Sequence, residues 1–177
     1  MPSLASPAST TSDNLPVVLI VYHSMTDGTR QIAQACASAA RAEASVNVIV
    51  KLAQETDARD ILAAAAYVFA TPEYLGGMSG MMKDMFDRTF YDALDKIEGR
   101  PYATMICAGS DGQGAVRQIE RIATGWRLKA VAPPAIVHVS AQTPKAILAT
   151  KHLRDAQLKP CAELGSLMAA GLALGLF

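Results

Sequence analysis

Three hydroxyl-bearing residues, Ser24, Thr26 and Thr29, cluster in the segment His23-Ser24-Met25-Thr26-Asp27-Gly28-Thr29-Arg30. Each can donate a hydrogen bond to a phosphate oxygen, and Gly28 lets backbone approach such a group closely. The segment joins an apolar, β-rich run to a stretch with helical spacing, so its amides open a helix. A helix N-terminus presents unpaired N–H groups and a partial positive charge, which together bind anions. The implied chemistry is capture of a phosphate monoester by hydroxyls and amides, without a lysine, in a neutral pocket. Ordinary helix capping is the competing reading and needs only one hydroxyl. Asp27 would repel a phosphate, so its side chain is expected to face solvent or to cap the helix. No G-x-x-x-x-G-K-[ST] occurs, and no G-x-G-x-x-G follows this strand, which argues against a nucleoside triphosphatase and a Rossmann dinucleotide site.

Two further loops hold glycines at comparable places. Pro72–Gly80 contains Glu73, Tyr74, Leu75, Gly76, Gly77 and Met78, and Cys107–Gly114 contains Ala108, Gly109, Ser110, Asp111, Gly112 and Gln113. The elements that must carry these loops are legible from periodicity. Pro16–Tyr22, Val46–Val50, Ala66–Thr71, Tyr102–Ala108 and Ala135–Ser140 are strand candidates, several of them unbroken apolar runs of the kind buried on both sheet faces. Gly28–Arg41, Ala58–Ala65, the stretch from Met82 to Phe90 and the stretch from Val116 to Trp126 have helical spacing. From Thr143 onward the chain is helical in character, and Pro160 is expected to kink that helix or begin a second segment. Strand–helix alternation five times over predicts βαβ units, a parallel sheet and a doubly wound, three-layer α/β/α fold. In such sheets ligands lie beyond the carboxyl ends of the strands, where all three loops emerge.

The block Val18–Ala33 (VLIVYHSMTDGTRQIA) resembles the phosphate-binding loop of flavodoxin-like proteins. Thr71–Asp87 (TPEYLGGMSGMMKDMFD) is similar at its TPEY start, and again at Lys83 and Asp87, to NADPH-dependent FMN reductases. Its GGMSG centre resembles the multimeric-flavodoxin type of NAD(P)H:quinone oxidoreductase. The resemblance implies a flavodoxin-like five-stranded sheet of order 2-1-3-4-5 with one FMN bound noncovalently and NAD(P)H as co-substrate. It implies cofactor contacts from Ser24, Met25, Thr26, Asp27, Gly28 and Thr29 at the phosphate. Around the ring it implies Pro72, Glu73, Tyr74, Leu75, Gly76, Gly77 and Met78, and then Cys107, Ala108, Gly109, Ser110, Gly112 and Gly114.

Read from residue chemistry, Tyr74 can stack on a flat ring or pack at its rim. Met78 can cover an apolar edge, and Ser79 can cap the next helix. By the resemblance, loop three lacks the aromatic that electron-carrier flavodoxins place against the ring, so that face is either open to a hydride donor or quinone or covered by a residue of a second subunit. Glu73 is either a proton relay or a solvated carboxylate, and Arg30 and Arg117 are either phosphate ligands or surface cations. His23 is expected to bond locally at its strand end, and His138 to be a satisfied core histidine. No side chain is assigned as a catalytic acid, base or metal ligand.

The chain has 177 residues, 51% apolar and 18% charged, with 16 basic and 16 acidic residues. Whole-chain disorder is excluded by that apolar content. A formal net charge of +0 argues against a nucleic-acid or anionic-membrane binder, and against an acidic electron shuttle. Cys36, Cys107 and Cys161 are too widely spaced for a zinc finger, and an odd count suggests reduced thiols in a cytoplasmic setting. Residues 1–14 read as a disordered arm before a domain spanning 15–177. The uncharged Leu164–Phe177 is too short for a membrane span and fits a buried helix or a subunit contact, the latter implying a homodimer or homotetramer. The leading expectation is an FMN-dependent oxidoreductase serving a quinone, flavin or other small acceptor. A flavodoxin-type electron carrier and a flavin-free module on the same scaffold are the alternatives.

Overall fold

A computed structural model describes residues 15–177. The arm expected at residues 1–14 lies outside the described residues. Strand β1 (Val17–Tyr22) is flanked by β2 (Asn47–Leu52) and β3 (Ala66–Tyr74), both parallel to it, with Val18 opposite Val48 and Ala66. Two-sided pairing explains why the strand reads as a continuous apolar run: Val18, Leu19, Ile20 and Val21 are all buried. Strand β3 ends in a short antiparallel return with β4 (Gly77–Met78), and its other edge pairs in parallel with β5 (Pro101–Ala108). Beyond β5 the fifth position is split. β6 (Lys129–Ala130) pairs with Pro101–Tyr102, and β7 (Ala135–His138) pairs with Met105–Ala108. Pro133 and Pro134 lie in the gap, where a residue without an N–H cannot extend the ladder. The five principal strands therefore run β2-β1-β3-β5-β7, the order expected of a flavodoxin-like sheet.

Alternation along β1 sends Val18 and Ile20 to one face and Leu19 and Val21 to the other. On the first face lie α1 (Gly28–Ala40) and α6 (Asp155–Ala173), which pack Ile32, Cys36, Leu164 and Met168 around Val68 and Met105. On the second lie α2 (Ala58–Ala63), α3 (Gly80–Ala93) and α4 (Gln113–Gly125). Their core is aromatic: Phe69 meets Phe86 with ring centres 4.9 Å apart, and Phe86 meets Trp126 at 5.3 Å. The result is the three-layer α/β/α architecture.

The C-terminal third differs from expectation in one respect. After β7 the chain is helical over Pro144–Leu148 (α5) and again over α6, and the break falls at residues 149–154 rather than at Pro160. Pro160 sits in the second turn of α6, where its missing N–H removes one bond without stopping the helix. Residues 149–154 stay extended because they bond to α1, as described below. The face of α6 carrying Cys161, Leu164, Gly165, Met168 and Ala169 is buried within the chain, the first of the two fates open to this apolar stretch. Among the described residues no helix is long and apolar enough to cross a membrane.

Candidate active site

The carboxyl ends of β1, β3 and β5 open into a cavity of about 630 Å³. Loop one contributes Ser24, Met25, Thr26, Gly28 and Thr29. The first residue of α1 follows Asp27, whose φ of 72° is left-handed and whose side chain does not cap the helix. Its carboxylate turns instead to Arg30, with Nη2 donating to Oδ2 at 2.8 Å and Nε also in contact. The Arg30 guanidinium holds this carboxyl below its usual range. Asp27 thus neither caps α1 nor lines the cavity, and its charge is committed elsewhere. The amides of Gly28, Thr29 and Arg30 find no protein acceptor among the described residues. They leave an anion-seeking helix end at the cavity wall. A Cβ at Gly28 would stand 2.6 Å from Cys107 Sγ, so only glycine lets α1 start this close to β5.

Loop two is a tight β-hairpin. Glu73 faces Met78 and Tyr74 faces Gly77 across it, and Leu75 and Gly76 make the turn with φ of 51° and 76°. Positive φ at both central positions matches the twist of a two-residue hairpin, although leucine is a strained choice there. Pro72, Glu73, Tyr74, Leu75 and Gly76 line the cavity. Gly77 and Met78 do not: Met78 is buried in the core, and its amide donates to Gln118 Oε1 at 2.8 Å. Ser79 caps α3 as expected, accepting from the Met82 amide at 3.3 Å.

Glu73 has a role that its sequence context did not reveal. Its Oε2 accepts from the Gly112 amide at 2.7 Å and its Oε1 from the Ala115 amide at 3.2 Å. The carboxylate therefore caps α4 from another loop and fastens loop two to loop three. One signal was present: α4 starts after Gly112, which has no side chain to cap it, so the cap had to come from elsewhere.

From loop three, Cys107, Gly109 and Ser110 line the cavity, whereas Ala108, Gly112 and Gly114 lie behind it. Gly114 packs directly against the Gly76 carbonyl, bringing the two loops into contact. Burial pushes the Cys107 thiol up to about 11, opposed by the charge of Lys151.

Four lining residues escaped sequence reading: Val139, Ala141, Ile147 and Lys151. They come from the segment that leaves β7 and runs through α5 to α6. Lys151 supplies a cation to a pocket expected to have none, and its spacing from loop one carries no local signal. His23 sits beside loop one with its ring edge-on to Tyr74, centres 6.2 Å apart. Its Nδ1 is buried without a partner among the described residues, and burial lowers its pKa. His138 is not a core residue, because β7 is a sheet edge. It is exposed, with Nε2 3.0 Å from the Asp111 carbonyl. Arg117 lies away from the cavity, in a shallower groove shared with Lys83, Arg121 and Gln118.

The arrangement places an uncapped helix end and three hydroxyls at one wall and the largely apolar Tyr74, Leu75, Val139 and Ile147 at others. It suits a ligand with an anionic tail and a flat, mainly apolar head.

Comparison with known proteins gives a consistent family. A curated flavodoxin from Aquifex aeolicus (strain VF5) is 29% identical over 97 residues, 55% of this chain and 52% of the relative. The match thus spans about half the length of that relative. A flavodoxin from the domain Archaea superposes with a TM-score of 0.70 at 18% identity, covering 88% of this chain and 98% of the other. A WrbA-like flavodoxin from Agrobacterium tumefaciens gives 0.69 at 16% identity, covering 90% and 98%. At such identities the likeness is one of fold. The family model for NADPH-dependent FMN reductases matches residues 53–144, just over half of the chain and including loops two and three. By this match, on a sheet of flavodoxin order, the chain belongs to the NADPH-dependent FMN reductase family.

Proposed function

We propose that this chain binds one FMN in the rim cavity, accepts hydride from NAD(P)H and passes the electrons to a small acceptor such as a quinone or free flavin. Family membership carries the flavin-associated redox function; the donor, the acceptor and the residue roles are the proposal. The observation that supports it most is the uncapped N-terminus of α1 opening into a cavity walled by loops two and three.

The residues present fit the cofactor. The free amides of Gly28, Thr29 and Arg30, with the hydroxyls of Ser24, Thr26 and Thr29, would hold the phosphate. Tyr74 and Leu75 would border the ring. Loop three offers the amides of Gly109 and Ser110, which have no acceptor among the described residues, to the carbonyl oxygens of the pyrimidine edge. Amides placed there favour negative charge on that edge. FMN, when bound, supplies the hydride chemistry, and the protein supplies position and electrostatics. Glu73 is engaged by two α4 amides, so it anchors loop three rather than moving protons.

The test is a visible spectrum of the purified protein with and without FMN, followed by NAD(P)H oxidation with a benzoquinone. Bound yellow flavin and steady NAD(P)H consumption are expected. Protein that stays colourless after incubation with FMN would overturn the reading. The flavodoxin relative supports a second reading, a non-enzymatic electron carrier. Bound flavin that can be reduced but does not turn over with NAD(P)H and acceptor would favour it.

A further inference from the structure

We infer that Lys151 is the cation that makes this cavity select a phosphorylated flavin over riboflavin. This inference rests on the FMN reading above and adds a specificity-determining residue from outside the segment matched to the family, which ends at residue 144.

Residues 149–153 form a strap across the mouth of α1. The Lys151 amide donates to the Thr26 carbonyl at 2.7 Å, within loop one itself. Gln31, one turn into α1, clasps the strap on both sides. Its Nε2 donates to the Lys151 carbonyl at 2.7 Å, and its Oε1 accepts from the Leu153 amide at 3.0 Å. These bonds fix the backbone of Lys151 against the helix end. The side-chain stem then passes over Gly28: a Cβ placed there would lie 3.4 Å from Lys151 Cγ and 3.5 Å from Cβ.

The ammonium is oriented but not neutralised. Nζ donates to the carbonyls of Ala146 and Ile147, each at 2.9 Å, and to that of Ala149. All three acceptors are uncharged, and among the described residues no carboxylate pairs with Lys151. The nearby cation Arg30 is committed to Asp27. His152 is exposed and does not line the cavity. A half-buried lysine thus lines the cavity beside three unpaired amides, and nothing among the described residues supplies its counter-ion. A lysine acts as a compact point charge toward phosphate, and the α1 dipole adds to its field.

The experiment measures the dissociation constants of FMN and riboflavin by flavin fluorescence, on the full chain and on Lys151→Met and Lys151→Arg. Removing this point charge from beside the helix end is expected to weaken FMN binding by at least about tenfold in Lys151→Met. Riboflavin affinity is expected to stay within about twofold, because it has no phosphate for the lysine to meet. Lys151→Arg keeps the charge and most of the preference. An unchanged ratio of the two affinities in Lys151→Met overturns the inference, and so does an equal loss for both ligands, which marks a purely structural strap. Should Lys151→Met not fold, Lys151→Gln removes the charge while its amide keeps a donor for the α5 carbonyls, and the same ratio decides. Wild-type protein that binds neither flavin defeats the FMN reading itself, whereas wild type that binds FMN with no change of ratio in the variants defeats only the role of Lys151.

Discussion

Glu73 shows how one carboxylate can organise two loops. It leaves the end of β3 and accepts two amides at the start of α4, so the chain segments on either side of the cavity mouth are held by a single side chain. Glu73→Ala is expected to lower stability by about 1–2 kcal/mol, the usual loss for an α-helix cap. Urea unfolding would measure it, and FMN affinity should fall in parallel as loop three loosens; unchanged stability would show that water replaces the carboxylate. Much of the site was readable at this scale. The hydroxyls of loop one and Tyr74 and Gly76 of loop two were marked by type and spacing, whereas Cys107 entered only through the family resemblance. Lys151 was not readable, because it meets Thr26 only through tertiary structure and no local pattern singles it out. Met78 and Asp27 lie in the loops that the sequence marked but do not line the cavity, for a related reason. Sequence places a residue in a loop but does not say which way its side chain turns, and here one turned to the core and the other to Arg30.

Among the elements, α6 packs closely on α1. A Cβ at Gly165 would meet the backbone of Cys36, including its Cα at 3.0 Å. Gly165→Ala must push the helices apart, which is expected to cost about 1–3 kcal/mol. For a chain of this size that corresponds to a fall in Tm of about 2–12 °C, readable by circular dichroism. An unchanged Tm would show that α6 can slide freely on α1. The helices and strands were legible because their apolar periods are strong. The break after α5 was not, since residues 149–154 are held extended by Gln31 rather than by any helix-breaking residue of their own. The β3–β4 hairpin was missed because its turn begins with leucine, where asparagine or glycine would have announced it.

For the whole molecule, the parallel sheet followed from strand–helix alternation, its order from the family resemblance, and the two-faced core from the apolar runs. All three cysteines lie in that core. Burial pushes the thiols of Cys36 and Cys161 to about 12 and that of Cys107 to about 11, from an ordinary value of 9.0. A thiol whose pKa is raised by folding stabilises the native state fully below the unfolded value, and that contribution disappears as pH climbs through the folded value. Stability is therefore expected to decline as pH rises from about 9 toward 11–12. Urea midpoints measured across that range would check it. A flat profile would mean that the native thiols ionise as freely as those of the unfolded chain.

The clasp between Gln31 and Lys151 joins positions 120 residues apart. Loop one leaves the ribosome well before the segment that forms its outer wall. A nascent chain halted before Ala149 would carry the anion-seeking end of α1 without the strap or its charge. Closure of this end of the cavity therefore waits on synthesis of residues 149–153, so the wall around the α1 N-terminus is completed about 120 residues after the helix it covers.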